Sequence, residues 1–215
     1  MRRGISQRGW MSSSLALVLA IAAPAQSRAP QRDEADALFS KPRIVRVQLE
    51  LEDAAKAQLR ERPRDYATAT LLLDGERFEG AGIKIKGAAG STRDFDDRPA
   101  FTVNLKKHGG ERRFFGLSKF HLNNAVQDDS RLSEWIGHAV FDAAGYPAPR
   151  VSHARVREGE RDLGVYVLRE AFDEDFLRRA IGSEDGNLYD GGFCSDVDQE
   201  LQKDEGNGPD DRSDL

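Results

Sequence analysis

The chain has 215 residues and a mass of 23.9 kDa, is 39% apolar and 32% charged, and has a mean hydropathy of -0.62, which excludes a multi-span membrane protein and predicts a soluble globular domain. A single cysteine, Cys194, excludes an intramolecular disulfide framework and a Cys-rich zinc site. With 32 Lys and Arg against 37 Asp and Glu, a formal charge of -5, there is no basic footprint for nucleic acid.

The first element is a targeting segment. Arg2, Arg3 and Arg8 precede an apolar run over residues 15–23, which Ala23-Pro24-Ala25 follows. A basic region, a short apolar core and a small-x-small site predict a secretory signal peptide over residues 1–25, cleaved near Ala25, and a secreted or cell-envelope protein. The run is far short of the roughly 20 residues that span a bilayer, so no membrane association is expected after cleavage. Arg2-Arg3 leaves a twin-arginine route as the alternative. Residues 26–37 are polar and rich in Ala, Pro and Arg, and read as a flexible leader.

The domain is expected from residue 38. Val45, Val47, Leu49 and Leu51 alternate with Arg46, Gln48 and Glu50, a half-buried strand. Asp53 is placed as the cap of a short Ala-rich helix that stops before Pro63. Two strand patterns, over residues 66–73 and 76–86, flank Asp74-Gly75, the signal for a two-residue hairpin. The second puts Lys84 and Lys86 on one face and Ile83 and Ile85 on the other. A Gly/Ser loop over 87–92 and strands over 101–105 and 119–122 complete an expected antiparallel meander.

A polar loop over 123–130 leads into a predicted helix capped by Asp129 or Ser130. Leu132, Trp135, Ile136, Ala139, Val140 and Ala143 form one apolar stripe, and Gly145 and Pro147 end the helix. Strands over 151–157 and 163–169 turn at Gly159-Glu160. A second helix follows Asp173 and stops at Gly182. Residues 195–215 hold eight acids against two bases and read as an acidic linker. Strands and helices in this order predict an α+β domain, an antiparallel sheet with packed helices.

Taken in order, Gly82-Ile-Lys-Ile-Lys-Gly87, Arg98-Pro-Ala-Phe101, Leu122-Asn-Asn124, Asp129-Ser130, Glu134, Ala144-Gly-Tyr-Pro147, Gly164-Val-Tyr-Val-Leu-Arg-Glu170, Asp173, Phe176 and Gly186-Asn-Leu-Tyr189 resemble the CotH family, the spore-coat protein H kinases, from about residue 38 to the last residue. The resemblance implies an atypical Ser/Thr protein kinase that uses ATP and Mg2+ to phosphorylate exported or coat proteins. It implies that the fold resembles the nucleotide-binding lobe of a kinase-like protein, with residues 38–194 as its N-terminal portion. It also implies that the catalytic and metal-binding aspartates lie beyond Leu215, that residues 195–215 open a second lobe largely missing here, and that the chain as given is inactive. A secreted non-catalytic binding module on the same scaffold is the alternative.

Phosphoryl transfer needs cations on the phosphates and carboxylates on metal. The resemblance puts Lys84, Lys86 and Arg98 forward as the phosphate cations, with Lys86 and Arg98 as the preferred pair and the 87–91 loop offering amides beside them. The family more often has Arg at 84 and Lys at 98, and the two cations are not interchangeable, so the division of roles stays open. For each lysine a solvated strand face is the plain alternative. Glu134 would orient the strand cation, although at about 100° per residue it lies nearly opposite the stripe of Leu132 and Ala139, and the helix dipole alone favours a first-turn Glu. The strand ending at Glu170 would meet adenine through its backbone and through Val167 and Leu168.

No metal ligands are assigned within the chain. His108, His121, His138 and His153 show no ligand spacing. The serines lack a nucleophile elbow, the glycines match no P-loop, and Asp196, Asp198 and Glu200 lack the pattern of a calcium loop.

Overall fold

The structure, a computed structural model, describes residues 33–41, 43–109, 112–182, 186–191, 198–199, 201–210 and 213. The signal segment, most of the leader and Cys194 lie outside the described residues. A four-residue helix α1 (Asp36–Phe39) falls at the end of the stretch read as leader, anchored by the buried Leu38.

Alternation of apolar and polar residues produces the strands where the period predicts them. In β1 (Ile44–Glu50) Val45, Val47 and Leu49 are buried while their neighbours face outward. After it, α2 (Asp53–Glu61) buries Ala55 and Leu59. Asp53 is inside the first turn of α2; the capping position belongs to Glu52, whose side chain makes no cap bond. The strands β2 (Ala67–Leu73) and β3 (Glu76–Lys86) join at Asp74 and Gly75, both at positive φ (51° and 92°), as a tight hairpin turn demands. The strands β4 (Ala100–Asn104) and β5 (Lys119–Asn123) continue the meander.

Beyond the helix α3 (Ser133–Ala143), β6 (Val151–Glu158) and β7 (Arg161–Glu170) form the second hairpin. Here the expected architecture is overturned. The chain is not an α+β lobe of an antiparallel sheet with packed helices; it is mostly sheet, closed into a seven-stranded barrel in the order β1-β2-β3-β4-β5-β7-β6. β7 pairs antiparallel with β5, and β6 pairs in parallel with β1, from Ile44 opposite His153 to Leu49 opposite Glu158. Closure satisfies the backbone groups that two open edges would leave exposed. The interior is filled by alternate residues of all seven strands, among them Leu71, Ile83, Phe101, Phe120, Tyr166 and Leu168.

The helices are short, and α3 buries none of its residues. Its apolar stripe faces outward: Trp135, Ile136 and Val140 are each half or more exposed (50–61%), and Phe141, two turns along from Glu134, is exposed as well. The opposite side, with Glu134, Gly137 and His138 half-buried, faces the barrel. The capping position belongs to Leu132 and to neither Asp129 nor Ser130; Ser130 accepts from the Leu132 amide and Asp128 from the Ser133 amide. Gly145 takes the left-handed conformation (φ 82°) that ends α3.

The last described elements are α4 (Glu174–Ala180) and a hairpin of β8 (Asn187–Asp190) and β9 (Gln202–Gly206). β9 falls in the acidic stretch, where no strand period is visible. The helix expected after Asp173 is present, and Asp173 is its cap, accepting from the Phe176 amide at 3.1 Å. Burial pushes its carboxyl up to about 7, against that hydrogen bond and with the charges of Asp175 and Glu170 adding to the rise. A folded-state value above the unfolded one means that the folded chain keeps its proton longer, so stability is full below about pH 4 and is lost as pH rises through 7. Asp173→Asn keeps the acceptor and removes the titration. Its melting temperature is expected to overtake that of the parent between pH 4.5 and 7.5, by the equivalent of about 2–3 kcal/mol, and parallel melting curves across that range would contradict the assignment.

Candidate functional site

The outer face of β3, β4, β5 and β7 carries the polar residues that alternation keeps out of the core. Lys86 stands opposite Ala100 on β4, and Asn123 on β5 stands opposite Val167 on β7. Ala100 has no bulk, so the Lys86 side chain reaches across it: its Nζ donates to Asn123 Oδ1 at 2.9 Å. The Asn123 amide nitrogen donates in turn to both Glu134 oxygens, at 2.9 and 2.7 Å. The strand lysine and the helix carboxylate are thus joined through an asparagine bridge. This bridge holds Glu134 toward the barrel and turns the apolar stripe of α3 to solvent.

The three residues line a cleft of about 660 Å³ together with Arg64, Ser91, Asn124 and Val167, within the size range of small-molecule sites. The 87–92 loop forms one wall. Gly87 is at φ 138°, and a Cβ there would come within 2.9 Å of the Thr92 backbone, so only glycine fits. The loop closes on itself, with the Ala88 amide bonded to Ser91 Oγ and the Ser91 and Thr92 amides bonded to the Ala88 carbonyl. Two of the amides expected beside the lysine, those of Ala88 and Ser91, are therefore spent within the loop. Asn124, buried, donates to the Ser91 and Arg98 carbonyls at 3.0 and 2.8 Å and ties the loop to the barrel.

Burial brings the Lys86 ammonium down to about 8, and the charge of Arg169 lowers it further against the opposing pull of Glu134. An anion in the cleft would raise it again. Burial likewise holds His121 down to about 2, with Lys86 and Arg169 adding to it, so this imidazole is neutral and faces Thr102 Oγ1 at 3.1 Å. Lys84 is on the same outer face but outside the cleft lining, its ammonium 4.8 Å from the Tyr66 ring and lowered by burial.

Of the residues proposed on sequence, Lys86, Glu134 and Val167 come together. Arg98 is elsewhere: its Nη2 donates to the Val165 carbonyl at 2.5 Å and its guanidinium lies 5.1 Å from the Tyr166 ring. Leu168 points into the barrel core, as strand parity requires once Val167 faces out. Glu170 is 1% exposed and clasped by Arg150 and Arg179, at 2.6 and 2.7 Å. The Val165 carbonyl, a candidate for contact with adenine, is taken by Arg98 and Arg131. Sequence reasoning gave no role to Asn123, Asn124 or Arg64; the Asn-Asn pair at a strand end was the visible signal.

No group of three or more His, Cys, Asp or Glu arranged to hold a metal occurs among the described residues, nor is any described helix long and apolar enough to cross a membrane. The polar lining of the cleft and its buried ammonium fit phosphate oxygens. Its two carboxylates are already engaged, Asp128 at the start of α3 and Glu134 by Asn123.

Among the curated proteins none matches the chain. The family described as CotH kinase protein matches residues 83–214, a stretch that begins within β3 and includes Lys86, Asn123, Glu134 and Val167. With more than half of its length so matched, the chain belongs to the CotH kinase family.

Proposed function

We propose that this chain binds ATP as its Mg2+ complex and serves phosphoryl transfer from the γ-phosphate to a Ser or Thr hydroxyl of an exported protein. In that transfer the bond from the γ-phosphorus to the bridging oxygen breaks, a bond to the acceptor oxygen forms, the hydroxyl proton passes to solvent, and ADP leaves. Bound with the triphosphate, Mg2+ would supply charge shielding. The Lys86–Asn123–Glu134 bridge carries this reading. It presents a partly desolvated ammonium in a cleft of nucleotide size and fixes its position through a carboxylate. A positioned cation is what phosphate transfer asks of a protein. Lys86 would contact phosphate oxygens, Glu134 and Asn123 would orient it, and Val167 would offer an apolar surface to the base. Export would follow from the segment over residues 1–25.

Thermal unfolding tests the reading. Mg-ATP at about one hundred times its dissociation constant stabilises a protein by about 2.7 kcal/mol, a rise of about 5–10 °C for a chain of this size. That rise is expected for the full chain and is expected to vanish in Lys86→Met. A folded parent whose melting is indifferent to Mg-ATP would sink the nucleotide reading and leave the non-catalytic module in its place.

A further inference from the structure

Arg169 is on the outer face of β7, two residues from Val167 in the cleft lining and directly opposite His121 of β5. Two residues along a strand is about 7 Å, so Arg169 lies one step beyond Asn123, where Lys86 delivers its Nζ. Its guanidinium is held 5.2 Å from the Phe172 ring. Its Nε is buried without a hydrogen-bond partner, and no ion pair among the described residues includes it. Arg98 has the same buried, unpartnered Nε, but its Nη2 is spent on the Val165 carbonyl, and Arg150 and Arg179 are spent on Glu170, whereas no hydrogen bond among the described residues engages the Arg169 guanidinium.

A desolvated guanidinium without an anion is costly. The carboxylate whose charge acts on it, Glu134, already receives both hydrogens of the Asn123 amide. Two cations, Lys86 through Asn123 and Arg169 through its charge alone, therefore share a single, already engaged carboxylate. Lys86 lines the cleft, and Arg169, just outside that lining, stands two residues along β7 from the lining Val167 and close enough to Lys86 for the two charges to act on each other.

We propose that Arg169 is the second phosphate-binding cation of the cleft, holding with Lys86 a polyphosphate that runs from the 87–91 loop toward β7 beneath α3. Its planar fork suits two phosphate oxygens at once. The identity of the nucleotide rests on the function proposed above, whereas the anion site rests on the half-buried Arg169 guanidinium, whose Nε has no partner, and on its place beside Lys86.

Binding of inorganic triphosphate and of Mg-ATP to the full chain, measured by calorimetry together with melting of the ligand-free protein, tests this. Arg169→Met is expected to weaken triphosphate binding at least tenfold while the ligand-free melting temperature stays or rises, since an unpaired buried charge has been removed. Arg169→Lys, which keeps the charge without the fork, is expected to lose three- to tenfold, and it stands in should the Met variant fail to fold. Unchanged triphosphate affinity in either folded variant overturns the proposal, as does a lower ligand-free melting temperature with binding retained, the mark of a packing role. If the parent binds triphosphate through Arg169 but not Mg-ATP, the anion site stands and the nucleotide reading falls. If Mg-ATP binds and Arg169→Met leaves it untouched, the reverse holds; a parent that takes neither ligand overturns both.

Discussion

Glu170→Ala is expected to lower the free energy of unfolding by about 3–5 kcal/mol, the range for removing one partner of a buried ion pair. Glu170 is 1% exposed and accepts from the Arg150 amide and guanidinium and from two nitrogens of Arg179. Arg150 and Arg179 are themselves only 15% and 14% exposed, so deletion strands two guanidinium groups away from water. Arg150 retains Asp33 and Asp36, which are more exposed and screened. For that reason Asp33→Ala is the contrasting control, with a loss below about 1 kcal/mol. Urea midpoints of the two variants make the comparison. Equal, small losses would mean that Glu170 is not the hub of this cluster. Against a typical total stability of about 5–15 kcal/mol, the Glu170 variant stands close to unfolding, and an activity loss in it would say nothing about cofactor contact.

Tyr166→Ala should cost a similar amount, about 3–5 kcal/mol, through the cavity it leaves. The ring is fully buried at the centre of the barrel, and its hydroxyl donates to the Pro99 carbonyl at 3.0 Å. Burial pushes that hydroxyl up to about 12, so it remains a donor throughout the neutral range. Tyr166→Phe keeps the volume and loses only the hydrogen bond, an expected loss of about 1 kcal/mol. The pair of variants separates packing from polarity, and equal losses in the two would contradict the cavity account. Because Arg98 packs on the same ring and bonds to Val165, Tyr166→Ala also releases the guanidinium that sequence reasoning had placed on phosphate.

The strands were legible because a period of two needs only neighbours: Val45, Val47 and Leu49 alternate in the sequence and are buried in the barrel. The hairpin at Asp74-Gly75 was legible for the same local reason, a positive φ at two successive positions. At α3 the stripe was legible but its destination was not. Burial of an apolar stripe is the ordinary outcome, yet here the helix lies over a polar strand face, and the Asn123–Glu134 bonds turn the other side inward. The angular placement of Glu134 opposite Leu132 and Ala139 was correct, and it is the reason that this carboxylate reaches the site.

The site divides in the same way. Lys86 could be chosen because it is a cation on the polar face of a strand beside a glycine loop. Arg98 had equal claim on charge alone; what separates them is that Arg98 has a carbonyl and a ring within reach, while Lys86 has the cleft. Arg169 alternates with Val167 on an outer strand face and carried no local mark of function, since whether a guanidinium finds a partner depends on residues brought to it from β5 and α3.

By itself the sequence determined the periods, the turns, the start of α4 after Asp173 and the family of this protein, all of which follow from residues close together in the chain or from their order along it. Only the tertiary structure decided that β6 returns beside β1 and closes the barrel, that α3 turns its apolar stripe outward, and that Arg98 finds a carbonyl while the Nε of Arg169 finds no partner. The physical reason is common to the three. Strand pairing across about a hundred residues, the polarity of the surface a helix meets, and the satisfaction of a buried cation are set by non-local contacts, to which no local period corresponds.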